Sequence, residues 1–126
     1  MDWMGMFVPR LRLRGRSTES LNPASEEDLD RLAELRERGS RLNLPHPVRG
    51  FVEFDGERTA RAAADALRKD GFTCTVRAAS DGAWMVTTVR PLVPTPGAVT
   101  KLREQLESLA AAHGGSYRGW DAPLVY

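Results

Sequence analysis

The sequence has one cysteine and no long hydrophobic run, and each scarcity excludes a class of protein. Cys74 cannot form an intrachain disulfide, and its apolar neighbours at residues 72–76 favour a buried small side chain over a reactive thiol. No apolar run approaches the ~18 residues that a membrane-spanning helix needs. The apolar patch at residues 3–8 is too short for a signal peptide, and arginines follow it instead of preceding it. We therefore expect a cytoplasmic protein that does not contact a membrane.

Lysine is also scarce, and the charge of the chain is nearly balanced. Two lysines stand beside 16 arginines, and the formal net charge is +1. A field this weak does not make the whole chain a nucleic-acid binder. Residues 1–24 are predicted to be a flexible basic tail, because they contain too little apolar area to offset the entropy of ordering them. Its four arginines are candidates for weak, non-specific contact with nucleic acid: Arg10, Arg12, Arg14 and Arg16.

Residues that carry catalysis or bind metal ions are few and poorly spaced. His46 lies beside a proline in a predicted linker, and His113 lies at a predicted helix C-terminus, where a positive charge is favourable. No cysteine and histidine have metal-ligand spacing, no glycine-rich loop has phosphate-binding spacing, and no serine lies in a nucleophile elbow. We therefore expect no catalytic residues, no cofactor, no metal site and no enzymatic activity.

A first helix is predicted over residues 25–39. Ser25 is a good N-cap, Asp28 follows at the capping-box position, and Gly39 ends the helix. Its apolar stripe is narrow and rests mainly on Leu29, Leu32 and Leu35. Such a helix is suited to lying on another surface of the protein.

After a linker at residues 40–47, the pattern becomes that of a small α+β domain over residues 45–120. The elements alternate as strand, helix, strand, strand, helix, strand, which predicts a ferredoxin-like two-layer sandwich with an antiparallel four-stranded sheet. Residues 121–126 are predicted to be a C-terminal tail. Strands are predicted at residues 48–54, 72–78, 83–89 and from 116, with helices at 57–70 and 95–113 and a hairpin turn at 80–82. Pro91 and Pro94 are expected to stop the third strand.

One face of this sheet is left without cover, because right-handed crossovers place both helices on the other face. Phe51 is predicted to point to the bare face. Trp84 is predicted to join it, although Met85, Thr87 and Val89 alternate with Trp84 and either set can face the core. A bare face is either a binding surface or is covered by the first helix. We predict that the first helix packs across it.

An ordered set of residues near the C-terminus resembles a known family. Gly71 and Phe72 open the second strand, Trp84 lies early in the third, and Pro47 precedes the first. The set resembles the regulator of ribonuclease activity B family over about residues 24–120. Its core is the string Leu102, Leu106, Leu109, Ala110, His113, Gly114, Gly115, Tyr117, Gly119 and Trp120.

The resemblance implies a ferredoxin-like inhibitor of the endonuclease ribonuclease E, which modulates RNA degradation through protein contact. Two features depart from the family: Arg118 stands where the family has an aspartate, and the chain is near neutral where well-known members are strongly acidic. The alternative is a nucleic-acid-binding or ligand-sensing module on the same fold. Candidate protein-interaction residues are Phe51, Trp84, Tyr117, Arg118, Gly119 and Trp120. Trp120 has two interpretations, a buried residue that closes the core or an exposed recognition anchor.

Overall fold

The computed structural model describes residues 19–126, so the candidate arginines at positions 10, 12, 14 and 16 lie outside the described part of the chain. Within residues 19–126, three α-helices and four strands follow one another. They are α1 (Glu26–Glu37), β1 (His46–Phe54), α2 (Glu57–Lys69), β2 (Thr73–Ala78), β3 (Trp84–Leu92), α3 (Pro96–His113) and β4 (Ser116–Asp121), with a short 3₁₀ turn at Ser80–Gly82 between β2 and β3.

The four strands form one antiparallel sheet in the order β2-β3-β1-β4. This order, with α2 and α3 as the crossovers, confirms the predicted ferredoxin-like fold. The third strand is longer than predicted, since β3 continues through Pro91, which lies opposite Pro47 of β1. Proline is tolerated there because β2 begins at Thr73, opposite Val89, so Pro91 has a neighbouring strand on one side only.

The core lies between the sheet and the helices α2 and α3. Val48, Val52 and Phe54 point from β1 into this layer, as their alternation predicts. Gly50 lies in the same row and its missing side chain makes room for Leu106 of α3. The helices contribute small and branched residues to the same core: Ala60, Ala63, Ala64 and Leu67 from α2, and Val99, Leu102 and Leu106 from α3.

The predicted packing of α1 across the opposite sheet face is wrong. Helix α1 lies beside α3 on the helix side of the sheet, where Asp28 bonds to Arg103 of α3 and to Trp120 of β4. Leu32 is buried in this position, whereas Leu29 is 47% exposed. A leucine stripe shows which side of a helix is buried, but it does not identify the surface that buries it. The buried carboxylate of Asp28 decides the location, because a buried charge needs polar partners.

The predicted orientation of Trp84 is also wrong. Trp84 pairs with Phe54 across the β1–β3 ladder, so both side chains lie on the helix side of the sheet. Met85, Thr87 and Val89 therefore occupy the open side. In either of its two possible orientations, β3 places apolar residues on both faces of the sheet. The register with β1 selects the observed orientation.

His46 belongs to β1 and not to the linker predicted at residues 40–47. The imidazole is fully buried, with Nδ1 2.8 Å from the Leu44 carbonyl oxygen and Nε2 2.6 Å from Ser40 Oγ. The Leu44 carbonyl can only accept, so Nδ1 donates to it. In the neutral imidazole, Nε2 then accepts a hydrogen bond from the Ser40 hydroxyl. Ser40 Oγ also accepts from the Val125 N–H at 2.9 Å, and the Arg41 N–H donates to the Val125 carbonyl at 2.7 Å. The segment at residues 122–126 therefore lies against the α1–β1 connection.

Candidate protein-interaction surfaces

A β-bulge in the edge strand β4 separates two surfaces of the protein. Tyr117 pairs with Val52 and Gly119 pairs with Phe51, so Arg118 is an extra residue in the ladder. Gly119 has a φ of +110°, a conformation that favours glycine. The bulge sends Tyr117 and Trp120 to the helix side of the sheet and Arg118 to the open side.

The first surface, which we call the β4 cleft, lies where α1, α3 and β4 meet. It has a volume of about 250 Å³. Glutamate, aspartate and three arginines line it together with two aromatic residues, so its wall is both polar and aromatic. The lining residues are Glu27, Asp28, Arg31, Arg103, Tyr117, Arg118, Gly119 and Trp120.

Asp28 organises the wall of the β4 cleft and is only 3% exposed. Its backbone N–H donates to Ser25 Oγ at 3.1 Å, which caps α1. Its carboxylate accepts from Trp120 Nε1 at 2.9 Å and from Arg103 Nε at 3.0 Å. The hydrogen bond to Asp28 raises the pKa of the Arg103 guanidinium, which also pairs with Glu107 at 3.1 Å. One buried carboxylate thus connects α1, α3 and β4.

Trp120 closes the core and is not an exposed recognition anchor. Its indole is 3% exposed, and its N–H is bonded to Asp28. The Arg31 guanidinium lies over the ring, with Cζ 5.9 Å from the ring centroid. Of the two interpretations of Trp120 from the sequence, the structure supports the buried one.

Tyr117 carries a buried hydroxyl in the wall of the β4 cleft. Its hydroxyl is buried and has no hydrogen-bond partner among residues 19–126. Burial, and then the negative charge of Asp28, raise the pKa of the Tyr117 phenol, so the group keeps its proton. A buried hydroxyl without a partner costs free energy.

The second surface, which we call the open sheet face, is the side of the sheet that no described helix covers. Phe51 lies at its centre, next to Gly119 of β4 and Thr87 of β3. The remaining residues follow from the strand pairing and from the ion pair of the bulge residue Arg118, and they lie in the row of Phe51 and in the rows above and below it. They are Arg49 and Glu53 of β1, Asp121, Arg118 and Ser116 of β4, Val89 and Met85 of β3, and Thr73, Thr75 and Arg77 of β2.

Two ion pairs flank Phe51 on the open sheet face. Arg49 binds Asp121 through two parallel hydrogen bonds of 2.7 Å. Arg118 donates from Nε to Glu53 at 2.7 Å. Arg49 Cζ also lies 5.6 Å from the Phe51 ring centroid. An apolar centre with a charged rim is the usual composition of a protein interface.

The six predicted interaction residues do not form one site. Phe51 lies on the open sheet face, Tyr117 and Trp120 line the β4 cleft, Arg118 and Gly119 border both surfaces, and Trp84 packs against the core. Sequence reasoning missed Asp28, Arg103, Arg49 and Asp121. The one available signal was the alternation of Arg49, Phe51 and Glu53, which places opposite charges on one face of a strand.

Both surfaces lie inside a region that matches a known protein family. Residues 25–122 match the family model described as regulator of ribonuclease activity B, which covers more than three quarters of the chain. The chain belongs to the regulator of ribonuclease activity B family. Membership supports a regulatory role, in line with the resemblance in its C-terminal residues. No curated protein matches the chain.

Residues 19–126 contain neither a metal-binding cluster nor a membrane-spanning helix. Within residues 19–126, no three histidine, cysteine, aspartate or glutamate side chains are grouped to hold a metal ion. None of the helices in that same range combines the length and the apolar composition needed to cross a membrane.

Proposed function

We propose that this protein regulates a ribonuclease in the cytoplasm by direct protein contact and without chemistry of its own. The observation that carries the proposal is the family match over residues 25–122. The expected target is ribonuclease E or an endonuclease like it, as the resemblance implies. Binding to such an enzyme changes the rate at which it degrades RNA.

The β4 cleft is the surface we assign to the ribonuclease. The Tyr117 hydroxyl is buried in the wall and has no partner among the described residues, so an acceptor on the ribonuclease gains a hydrogen bond from it by opening the cleft. Arg31 is exposed at the rim and offers a charge to the same partner. Asp28 holds the walls through Trp120 and Arg103, so the cleft is organised before binding.

The test is an RNA-cleavage assay with purified ribonuclease E and the full chain. We expect inhibition that excess ribonuclease relieves and excess RNA does not, because the protein binds the enzyme. Inhibition relieved by RNA alone would support the alternative of a nucleic-acid-binding module. Absence of both inhibition and a complex with the enzyme would contradict the proposal.

Two variants locate the contact on the protein. Tyr117→Phe and Arg31→Ala should each weaken inhibition by about fivefold, the effect of losing one hydrogen bond of about 1 kcal/mol. Arg36→Ala is the matched control, since Arg36 is an exposed arginine of the same helix that does not line the β4 cleft. Equal inhibition by Arg31→Ala, Tyr117→Phe and the control would show that the ribonuclease binds elsewhere.

A further inference from the structure

The charges on the open sheet face alternate in sign around Phe51. Along β1, Arg49 lies two residues before Phe51 and Glu53 two residues after it. On the neighbouring strand β4, Asp121 lies beside Arg49, and Arg118 lies beside Glu53. The two arginines therefore occupy one pair of diagonal corners of a square, and the two carboxylates occupy the other pair. Phe51 lies on the side of the square that belongs to β1.

This square is complementary to itself. A two-fold axis that runs across the strands, through the row of Phe51 and Thr87, turns a second copy so that the two sheet faces meet. Arg49 then faces Glu53 of the second copy, and Asp121 faces Arg118 of the second copy. Each copy supplies both halves of each contact, as an isologous interface requires.

The same two-fold rotation also brings the uncharged residues of the face together. Phe51 faces its own counterpart, and Val89 faces Met85 of the second copy, so apolar groups meet apolar groups. A two-fold axis along the strands is less suitable, because it would place Arg118 against Arg77 of the second copy. Like charges in contact disfavour that arrangement.

We propose that the open sheet face binds a second copy of this chain, with the two-fold axis crossing the strands at the row of Phe51 and Thr87. Two of the strands have nine residues and two have six, so the face spans roughly 25 Å along the strands on average and 19 Å across them, and two copies cover about 950 Å² in total. Interfaces of this size are at the lower end of specific complexes and form reversible dimers. The β4 cleft of each copy opens on the helix side of the sheet and shares only its border residues Arg118 and Gly119 with this interface, so the rest of the cleft remains available.

The first experiment measures the mass of the full chain by sedimentation equilibrium. We expect a monomer–dimer equilibrium between about 1 and 200 µM, the range typical of a small interface. Phe51→Lys should raise the dissociation constant by at least about tenfold, since two lysines would meet at the axis. Leu29→Lys is the matched control, because Leu29 is an exposed apolar residue on α1, away from this face.

The second experiment tests the orientation of the two copies with single charge reversals. Glu53→Lys places positive charges opposite each other, and Arg49→Glu places negative charges opposite each other, so each variant alone should dimerise at least about tenfold more weakly. An equimolar mixture should recover dimers, because the heterodimer pairs Arg49 with Glu53 and Lys with Glu at the other contact. Arg49→Glu removes the ion pair with Asp121 inside its own chain, and Glu53→Lys removes the ion pair with Arg118. Mixing the variants does not restore either pair, so recovery must come from contacts between the copies.

Three results would overturn the proposal: a monomer throughout the concentration range, a dimer unaffected by Phe51→Lys, or a mixture without recovery. A monomeric chain in which Phe51→Lys abolishes ribonuclease inhibition would assign the open sheet face to the ribonuclease instead. The variant Arg31→Ala, tested in the inhibition assay, separates failure of the dimer from failure of the proposed function.

Discussion

The Asp28 carboxylate of α1 accepts a hydrogen bond from the Trp120 indole N–H of β4 across 2.9 Å. These residues are 92 positions apart in the sequence. The contact attaches the N-terminal helix to the edge of the sheet, next to α3. It also makes Trp120 part of the core, which accounts for a tryptophan at this position without an exposed recognition role.

Replacing Asp28 should strongly destabilise the fold. Asp28→Ala leaves the Trp120 N–H and the Nε of Arg103 without their acceptor, and we expect a loss of about 3 kcal/mol in the free energy of unfolding. Urea denaturation measures this value. Asp30→Ala is the control, because Asp30 is an exposed carboxylate of the same helix and should change stability by less than about 0.5 kcal/mol. Equal effects of both variants would contradict the role of Asp28.

Helix α1 should contribute to stability through one side only. Leu32 is 4% exposed, so Leu32→Ala should cost about 2–3 kcal/mol in urea denaturation. Leu29→Ala removes the same group from an exposed position and should cost less than about 0.5 kcal/mol. If Leu32→Ala left the free energy of unfolding unchanged, α1 would not be docked on α3.

Gly50 should not tolerate a side chain. A Cβ at this position would meet Leu106 of α3 and lie 2.9 Å from Thr88 Oγ1. Gly50→Ala should therefore destabilise the protein by about 1–3 kcal/mol through overpacking. Shortening the opposing residue tests the cause: in a double-mutant cycle, Gly50→Ala and Leu106→Ala should together cost less than the sum of the single variants.

Cys74 should react slowly in the folded protein. Burial raises the pKa of its thiol, so less of the reactive thiolate is present near neutral pH. A disulfide exchange reagent at about pH 8, near the usual thiol pKa, should modify the native chain at least about tenfold more slowly than the chain in urea. The rate of modification should rise with pH for both states, but the native chain should show this rise over a higher pH range than the unfolded chain. Equal rates for both states would show an accessible, unshifted thiol.

Residues 1–18 of the predicted tail should be dispensable for folding and only weakly attracted to RNA. The backbone N–H of Ser20 donates to the Gly97 carbonyl at 2.9 Å, and the Asn22 side chain donates to Glu104. A deletion of residues 1–18 keeps both contacts. The thermal midpoint should fall by less than about 4 °C, the shift that 1 kcal/mol produces at this size.

RNA binding by the full chain should be no tighter than ~10⁻⁶ M, fall steeply with salt, and disappear when Arg10, Arg12, Arg14 and Arg16 become alanine. A tight, sequence-dependent complex would contradict this interpretation.

Local patterns in the sequence were enough for the elements and their order. Ser25 and Thr95 cap α1 and α3 as predicted, and Gly114 ends α3 in a left-handed conformation. The alternation in β1 correctly separates Val52 and Phe54 from Arg49 and Phe51. These features depend on neighbours within a few residues, so the sequence itself contains the information.

The two surfaces, by contrast, depend on contacts between distant parts of the chain. The phase of β3 follows from pairing Trp84 with Phe54, and the position of α1 follows from the partners that Asp28 finds in Arg103 and Trp120. The bulge at Arg118 then sends neighbouring residues of β4 to opposite sides of the sheet. The sequence determined which residues are apolar, charged or able to cap a helix. Only the tertiary structure decided which of them meet, because strand register and the pairing of a buried charge are set by hydrogen bonds across long separations in the chain.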